Sequence, residues 1–315
     1  MPIPKNPPPI RKEKIVYIPP RLRRLYRWQG EKFRIDRITN LERYHQRKRR
    51  FLASPAGRKF LSYRKAKFGT LHGLEIWLVD GNRLRGGQKS GDVDFTMGGH
   101  GYRYLYVPQY EIWVDELYQG TADLWPLIWH EYLERWLMRQ GTSYNSAHTT
   151  ASNLEIVLRG GTDFVLPIGT YRQRSPWTCG PAALKIVLDF LRWPISERYL
   201  AKLCRTGPEK GTNPEDIVRT AQELGFEAYE KQKMTAREVK KILRSGRPVI
   251  ANFQLKPQTG EGHYAVIIGF GQDDFILSDP AFSTGYRRTK IKDFMRGWYE
   301  LVDKTTRQGI VVSLP

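Results

Sequence analysis

The chain has 315 residues, of which 40% are apolar, 27% charged and 12% aromatic, which is length for two domains and enough apolar content for packed cores, and excludes a chain disordered throughout. No apolar run approaches the roughly 18 residues needed to cross a bilayer, and the opening MPIPKNPPPIRKEK lacks the apolar stretch of a secretory signal. Two cysteines, Cys179 and Cys204, exclude a disulfide framework and a cysteine-based zinc finger, so the expected location is a reducing cytoplasm or a virion.

Charge divides the chain. Residues 1–67 hold 13 Arg and 8 Lys against four acidic residues, a net +17 out of the chain's +20. This basic Pro/Arg/Lys-rich arm opens with proline clusters that favour an extended backbone. Basic residues interleaved with aromatics follow, and the segment ITNLERYHQRKRRFL suits a short helix capped by Asn40. No independent core is expected in the arm. Arg21, Arg23, Arg24, Arg27, Arg47, Lys48, Arg49 and Arg50 are its candidates for binding nucleic acid or another polyanion, by neutralising phosphates while the rings stack on bases. An acidic protein surface in a large assembly is the competing partner, and mere solubility the third reading.

Residues 68–162 read as a smaller α+β domain. GLEIWLVDGNRLRGG has the pattern of a strand, and YRYLYVPQYEIWVDELYQ of two short strands broken at Pro108. In TADLWPLIWHEYLERWLMRQG, Leu124, Leu127, Ile128, Leu133 and Leu137 recur at helical spacing, with Thr121 as the cap and Gly141 past the end. SYNSAHTTASNLEIVLR forms a second helix from Ser143.

Residues 163–315 alternate helices and strands. CGPAALKIVLDFL is a helix with Pro181 in its first turn. NPEDIVRTAQELGF has start and stop signals, and TAREVKKILRSGRP opens on a Thr235/Glu238 capping box. VIANFQ, YAVIIGF and DFILSD read as strands, the last two joined by a tight turn at Gly271–Asp274.

This last region carries the parts of a thiol hydrolase. Cys179 sits at a helix start, where unpaired N–H groups and the helix dipole favour a thiolate. Gly180 leaves room for a substrate carbonyl, and Gln173 is placed to aim its amide at the same spot as an oxyanion donor. His263 opens one strand and Asp279 ends the next, so a short antiparallel turn makes them neighbours. Cys204, with no base nearby in sequence, is expected to be packing.

With QRSPWTCGPAAL, GRPVIANF, GHYAVIIGF and SDPAF, residues of about 168–300 resemble the double-glycine leader peptidases that process bacteriocins, within the papain-like cysteine peptidases. The resemblance implies helices packed on an antiparallel sheet, Cys179 as nucleophile, His263 as base and acid, Asp279 as its orienting group and Gln173 as oxyanion donor, with no cofactor. Bacteriocin-exporting members are fused to a membrane transporter, which this chain lacks, so the leader substrate does not carry over with the chemistry.

HEYLE places His130 and Glu134 on one helix face with Glu131 between them, and His148 lies on the next helix. Zinc or another divalent metal on His130, Glu134 and His148, with Glu131 as base, is the chemical reading of that spacing. Helix salt bridges and buried polar residues are the plainer one. The block DFTMGGHGYRYLYVPQYEIWVDE…HEYLERWLM…SYNSAH also resembles a segment of uncharacterised phage and plasmid-borne proteins, which implies no activity.

The sequence thus predicts an α+β chain: a basic arm, a His/Glu-containing domain and a domain that resembles the papain-like cysteine peptidases and is expected to cleave a peptide or isopeptide bond through a Cys179 thioester. The competing reading is a non-catalytic assembly protein, as of a virus particle, whose peptidase fold is scaffold.

Overall fold

The computed structural model describes residues 33–86, 91–256, 261–300 and 305–315. Arg21, Arg23, Arg24 and Arg27 lie outside the described residues. The chain divides into two compact units, Met1–Arg159 and Gly160–Pro315.

In the first unit, α1 (Leu41–Ala53) starts at Asn40, whose side chain accepts from the Arg43 N–H, and α2 (Pro55–Leu61) starts at Ser54, which caps Gly57 in the same way. β1 (Arg64–Leu71) and β2 (Leu74–Val79) form an antiparallel hairpin with Leu71 opposite Leu74. Its two-residue loop has His72 at φ 47° and Gly73 at φ 79°, both left-handed, which suits the right-handed twist of the flanking strands. A short α3 (Gly81–Gly86) follows, then β3 (Gly98–His100) and β4 (Glu111–Asp115). The sheet order is β1-β2-β4-β3, with β4 parallel to β2 and antiparallel to β3. α4 (Leu124–Arg139) and α5 (Tyr144–Leu158) complete the unit.

Alternation along β2 sends Leu74, Ile76 and Leu78 to one face, where they meet Ile112 and Val114 of β4 and Leu124, Leu127 and Ile128 of α4. The opposite side buries Phe33, Phe60 and Tyr63 with Tyr106 and Trp113, and the Phe60 and Tyr106 rings stack at 4.3 Å. The described part of the expected arm therefore differs from a coreless segment, because its aromatic residues are core of the first unit. Lys48, expected among the polyanion contacts, is buried instead. It is 2% exposed, and its Nζ donates to the carbonyls of Tyr104 (2.8 Å), Leu105 (3.4 Å) and Val107. Burial holds its ammonium pKa well below the usual lysine range. Arg47, Arg49 and Arg50 are exposed.

Three further expectations differ. GLEIWLVDGNRLRGG is a strand only as far as Val79, and Gly81–Gly86 is helical. Tyr102–Val107 forms turns rather than a strand, with the Tyr104 and Tyr106 rings in the aromatic core, and only Glu111–Asp115 of this segment pairs in the sheet. Thr121 does not cap α4. Its hydroxyl donates to the Tyr118 carbonyl, and Asp123 holds the cap position.

The second unit contains β5 (Phe164–Val165), α6 (Cys179–Phe190), α7 (Glu197–Leu203), α8 (Pro214–Glu223), β6 (Glu227–Lys231) and α9 (Ala236–Arg244). Then come β7 (Val249–Lys256), β8 (Glu261–Phe270), β9 (Asp274–Ser278), β10 (Tyr286–Lys290) and α10 (Ile291–Gly297). β11 (Tyr299–Glu300) pairs with β12 (Thr305–Thr306), and β13 (Gly309–Ser313) ends the fold. The sheet runs β10-β9-β8-β7-β13-β6 with β5 on β8, every pairing antiparallel. Helices with an antiparallel sheet are the expected α+β class.

The Thr235/Glu238 capping box forms as read, and the β8–β9 turn closes with Gly271 N–H donating to Asp274 O at 2.9 Å. α6 is apolar nearly all round: Ala182, Leu184, Val187 and Leu188 are fully buried. A leucine or valine buried to that extent contributes about 1.5–3 kcal/mol relative to exposure, so the helix that carries Cys179 is held rigidly. Among the described residues no helix is long and apolar enough to cross a membrane.

Candidate active site

The thiol sits where local chemistry leaves backbone donors free. Thr178 precedes α6, but its hydroxyl donates to Ser175 O (2.9 Å) and accepts from Ser175 N (3.1 Å), tightening a turn instead of capping the helix. The first-turn N–H groups beside Cys179 therefore have no capping side chain and present positive potential. Cys179 keeps 8% of its surface exposed, whereas Cys204 has none. Cys204 hydrogen-bonds Thr220 and burial pushes its thiol up to about 11, as suits a packing residue.

β8 and β9 pair with Val266 opposite Ser278, which brings His263 and Asp279 to the same end of the ladder. His263 Nε2 lies 2.7 Å from Asp279 Oδ1. Burial opposes a charge on the imidazole, but hydrogen bonds to Asp279 and Cys179, with the Asp279 charge, outweigh it and raise its pKa to about 9. Since Nε2 is taken by the carboxylate, Nδ1 is the nitrogen left for the thiol. Asp279 in turn is held below the usual carboxylate range: burial opposes this, and the bond to His263, the Arg287 charge and the Ala281 N–H prevail.

Two neighbours were not legible as site residues. Arg287 on β10 places Nε 2.8 Å from Asp279 Oδ2 and its guanidinium 5.1 Å over the Phe253 ring. Phe253 on β7 meets the His263 ring edge-on at 5.5 Å. The signal for both is strand pairing, since β10 returns beside β9 and β7 lies directly opposite His263.

Gln173 is near the nucleophile turn but oriented otherwise than expected. Its side-chain Nε2 donates to Ser175 O (2.8 Å) and Pro176 O (3.1 Å), which occupies both amide hydrogens, while its backbone N–H donates to Pro280 O at 3.0 Å. It ties the turn before Cys179 to the loop after Asp279. Gly180 likewise does not open space for substrate: a Cβ there would lie 2.8 Å from the Thr212 side chain, so the glycine permits close packing of that loop.

The first unit gathers the expected His/Glu residues and more. His148 Nδ1 lies 2.7 Å from Glu134 Oε2, and His130 Nε2 lies 3.4 Å from the same oxygen and 3.1 Å from His148 Nδ1. His130 Nδ1 faces Glu155 Oε2 at 2.8 Å, and His100 Nε2 faces Glu134 Oε1 at 2.9 Å. Burial opposes protonation of His130, but the bonds to Glu134 and Glu155 raise its pKa to about 10. Burial, aided by the Glu134 charge, raises Glu131 to about 8.

In the second unit a thiol at a helix start, an imidazole on a strand and a carboxylate on its far nitrogen stand together, the parts that nucleophilic thiol catalysis requires. Residues 165–306 match the family described as Peptidase C39 like, a span slightly under half of the chain. Among solved structures, the chain is similar to the peptidase domain of Streptococcus ComA, a bifunctional ABC transporter of a quorum-sensing pathway. That likeness has 24% identity and a TM-score of 0.38, covering 46% of this chain and 97% of that one. A double-glycine motif protease from an AMS/PCAT transporter, in complex with its leader peptide, is 20% identical at a TM-score of 0.38, covering 49% of this chain and 95% of that one. The N-terminal peptidase C39-like domain of a toxin-secretion ATP-binding protein from Vibrio parahaemolyticus is 12% identical at a TM-score of 0.33, covering 45% and 99%. No curated protein matches the chain.

Proposed function

We propose that the second unit hydrolyses a peptide or isopeptide bond through a thioester on Cys179. The observation that carries this reading is the His263 Nε2–Asp279 Oδ1 contact of 2.7 Å, which fixes the imidazole with Nδ1 toward the thiol. His263 takes the thiol proton, and the thiolate sulfur attacks the substrate carbonyl carbon. The negative oxygen that forms is met by backbone N–H groups at the α6 start rather than by the Gln173 amide, which is bonded within its own turn. His263 then gives its proton to the leaving amine, and water attacks the thioester with the same imidazole as base, releasing the acid and restoring the thiol. Asp279, backed by Arg287, orients the ring and favours its charged form.

A peptide as substrate is supported by the family match and by the protease bound to its leader peptide. The basic arm tethers the enzyme to polyanion or to an acidic partner, through the segment before residue 33 together with exposed Arg47, Arg49 and Arg50. Alkylation by iodoacetamide at pH 6, read by peptide mass spectrometry, tests the chemistry. Cys179 labels well ahead of Cys204, and His263→Ala removes the lead. Equal slow labelling of both cysteines in the native protein contradicts the proposal.

A further inference from the structure

We propose that the first unit is a metal-binding domain that holds one divalent transition metal, with zinc as the best match, on His130 Nε2, His148 Nδ1 and Glu134 Oε2. The three donor atoms stand 3.1, 2.7 and 3.4 Å apart in a triangle. Ligands at about 2.0–2.1 Å from a tetrahedral zinc are separated by roughly 3.3 Å, so one ion fits against this triangle after movements of a few tenths of an ångström. Two imidazoles and one carboxylate are also a donor set that zinc takes, with a further position left for water.

The surrounding contacts decide which nitrogens bear hydrogen. His100 Nδ1 accepts the backbone N–H groups of Tyr102 (3.1 Å) and Arg103 (3.3 Å), so its Nε2 carries the proton donated to Glu134 Oε1. His100 is therefore a support for the carboxylate and not a ligand, which sets aside the alternative grouping of His100, Glu131 and Glu134. His130 turns Nδ1 to Glu155 Oε2, and Glu155 is itself anchored by Arg159 at 2.7 Å. With Nδ1 on Glu155, Nε2 faces Glu134 and His148 and is the nitrogen on which a metal would replace the proton. A histidine with a carboxylate behind it and a carboxylate with a histidine behind it are the supports that orient metal ligands.

Without a metal, His130 Nε2 and His148 Nδ1 can hold only one hydrogen between them at 3.1 Å, since hydrogens on both would meet head to head. A cation at the common point satisfies all three donors together. The His148 side chain is 47% exposed while those of His130 and Glu134 are 6% and 3%, so the site has a rigid buried wall and an entry on the α5 side.

The test uses untagged full-length protein carrying Cys179→Ala, so that the thiol of the other unit cannot bind metal. After chelator treatment and dialysis it is titrated with zinc by calorimetry and with cobalt by visible absorption. The expected result is one equivalent of zinc bound and cobalt d–d bands of a low-coordinate site. Glu155→Gln, which removes a supporting charge only, weakens zinc binding about 10–100-fold. His148→Ala, a change at a half-exposed side chain, weakens it at least as much. Failure of the folded, chelator-treated protein to take up zinc overturns the proposal, and so does zinc affinity unchanged in His148→Ala.

Discussion

Asp279→Asn probes the electrostatics of the thiol site most sharply. The carboxylate is the first of the influences that raise His263, and without it burial acts against the imidazolium with only Cys179 in opposition. Displacement of the pKa from 6.5 to about 9 corresponds to about 3 kcal/mol, at about 1.4 kcal/mol per tenfold. The ring is 4% exposed, so solvent screening reduces this little. Folded His263 keeps its proton up to about pH 9, whereas an unfolded histidine releases it near 6.5. The stabilisation is therefore whole below pH 6.5 and lost as pH rises through about 9. Imidazole NMR titration should place His263 near 9 in the native protein and below about 7 in Asp279→Asn. Urea unfolding at pH 6 and pH 10 gives the energetic counterpart. Measured in a Cys179→Ala background, so that the coupled thiol does not titrate, the parent should lose on the order of 3 kcal/mol more than the Asp279→Asn variant over that interval, and groups distant from His263 cancel in the difference. A His263 pKa within half a unit of the native value in Asp279→Asn would refute the reasoning.

Other substitutions separate structural roles from chemical ones. Gln173→Ala should lower the stability of the second unit by about 1–2 kcal/mol, because two hydrogen bonds that brace the nucleophile turn are lost; a fall in kcat at unchanged Tm would instead put the amide in the oxyanion site. Lys48→Ala should cost on the order of 3 kcal/mol by urea unfolding, since it empties a buried space and strands three carbonyls, while leaving polyanion affinity unchanged. Deleting residues 1–32, which carry nine Lys and Arg against two Glu, should weaken nucleic-acid binding to what Arg47, Arg49 and Arg50 supply. In the full chain that binding should weaken with a log–log salt slope near −0.9 per phosphate contacted, measured by fluorescence anisotropy. Equal affinity of both proteins for DNA would place the polyanion contact elsewhere or nowhere.

The features legible in the sequence were those in which a residue acts through its own neighbours along the chain. The α6 start at Cys179, the Thr235 capping box and the tight turn that sets His263 beside Asp279 are local, and each formed as read. Arg287 was hidden because its role comes from β10 returning beside β9, a pairing that two adjacent arginines in a polar strand do not announce. The same limit explains β1, whose Arg64, Lys65 and Lys67 look like arm, yet such charges are what an edge strand carries to avoid pairing with other chains. Lys48 shows the reverse error. Its long apolar stem allows burial when carbonyls receive the ammonium, and nothing in RKRR separates it from its exposed neighbours. In the His/Glu cluster, helical spacing announced His130 and Glu134, but the His100 tautomer depends on backbone amides that only the folded turn supplies.

The central claim is a covalent intermediate on one sulfur. Intact-mass spectrometry of protein mixed with an activated peptide ester and quenched in acid measures it directly. A single acyl adduct should appear on Cys179, be released by hydroxylamine as a thioester is, and be absent in Cys179→Ser. In His263→Ala it should form far more slowly. Peptide hydrolysis that persists in Cys179→Ser, or an adduct that maps to Cys204, would contradict the account.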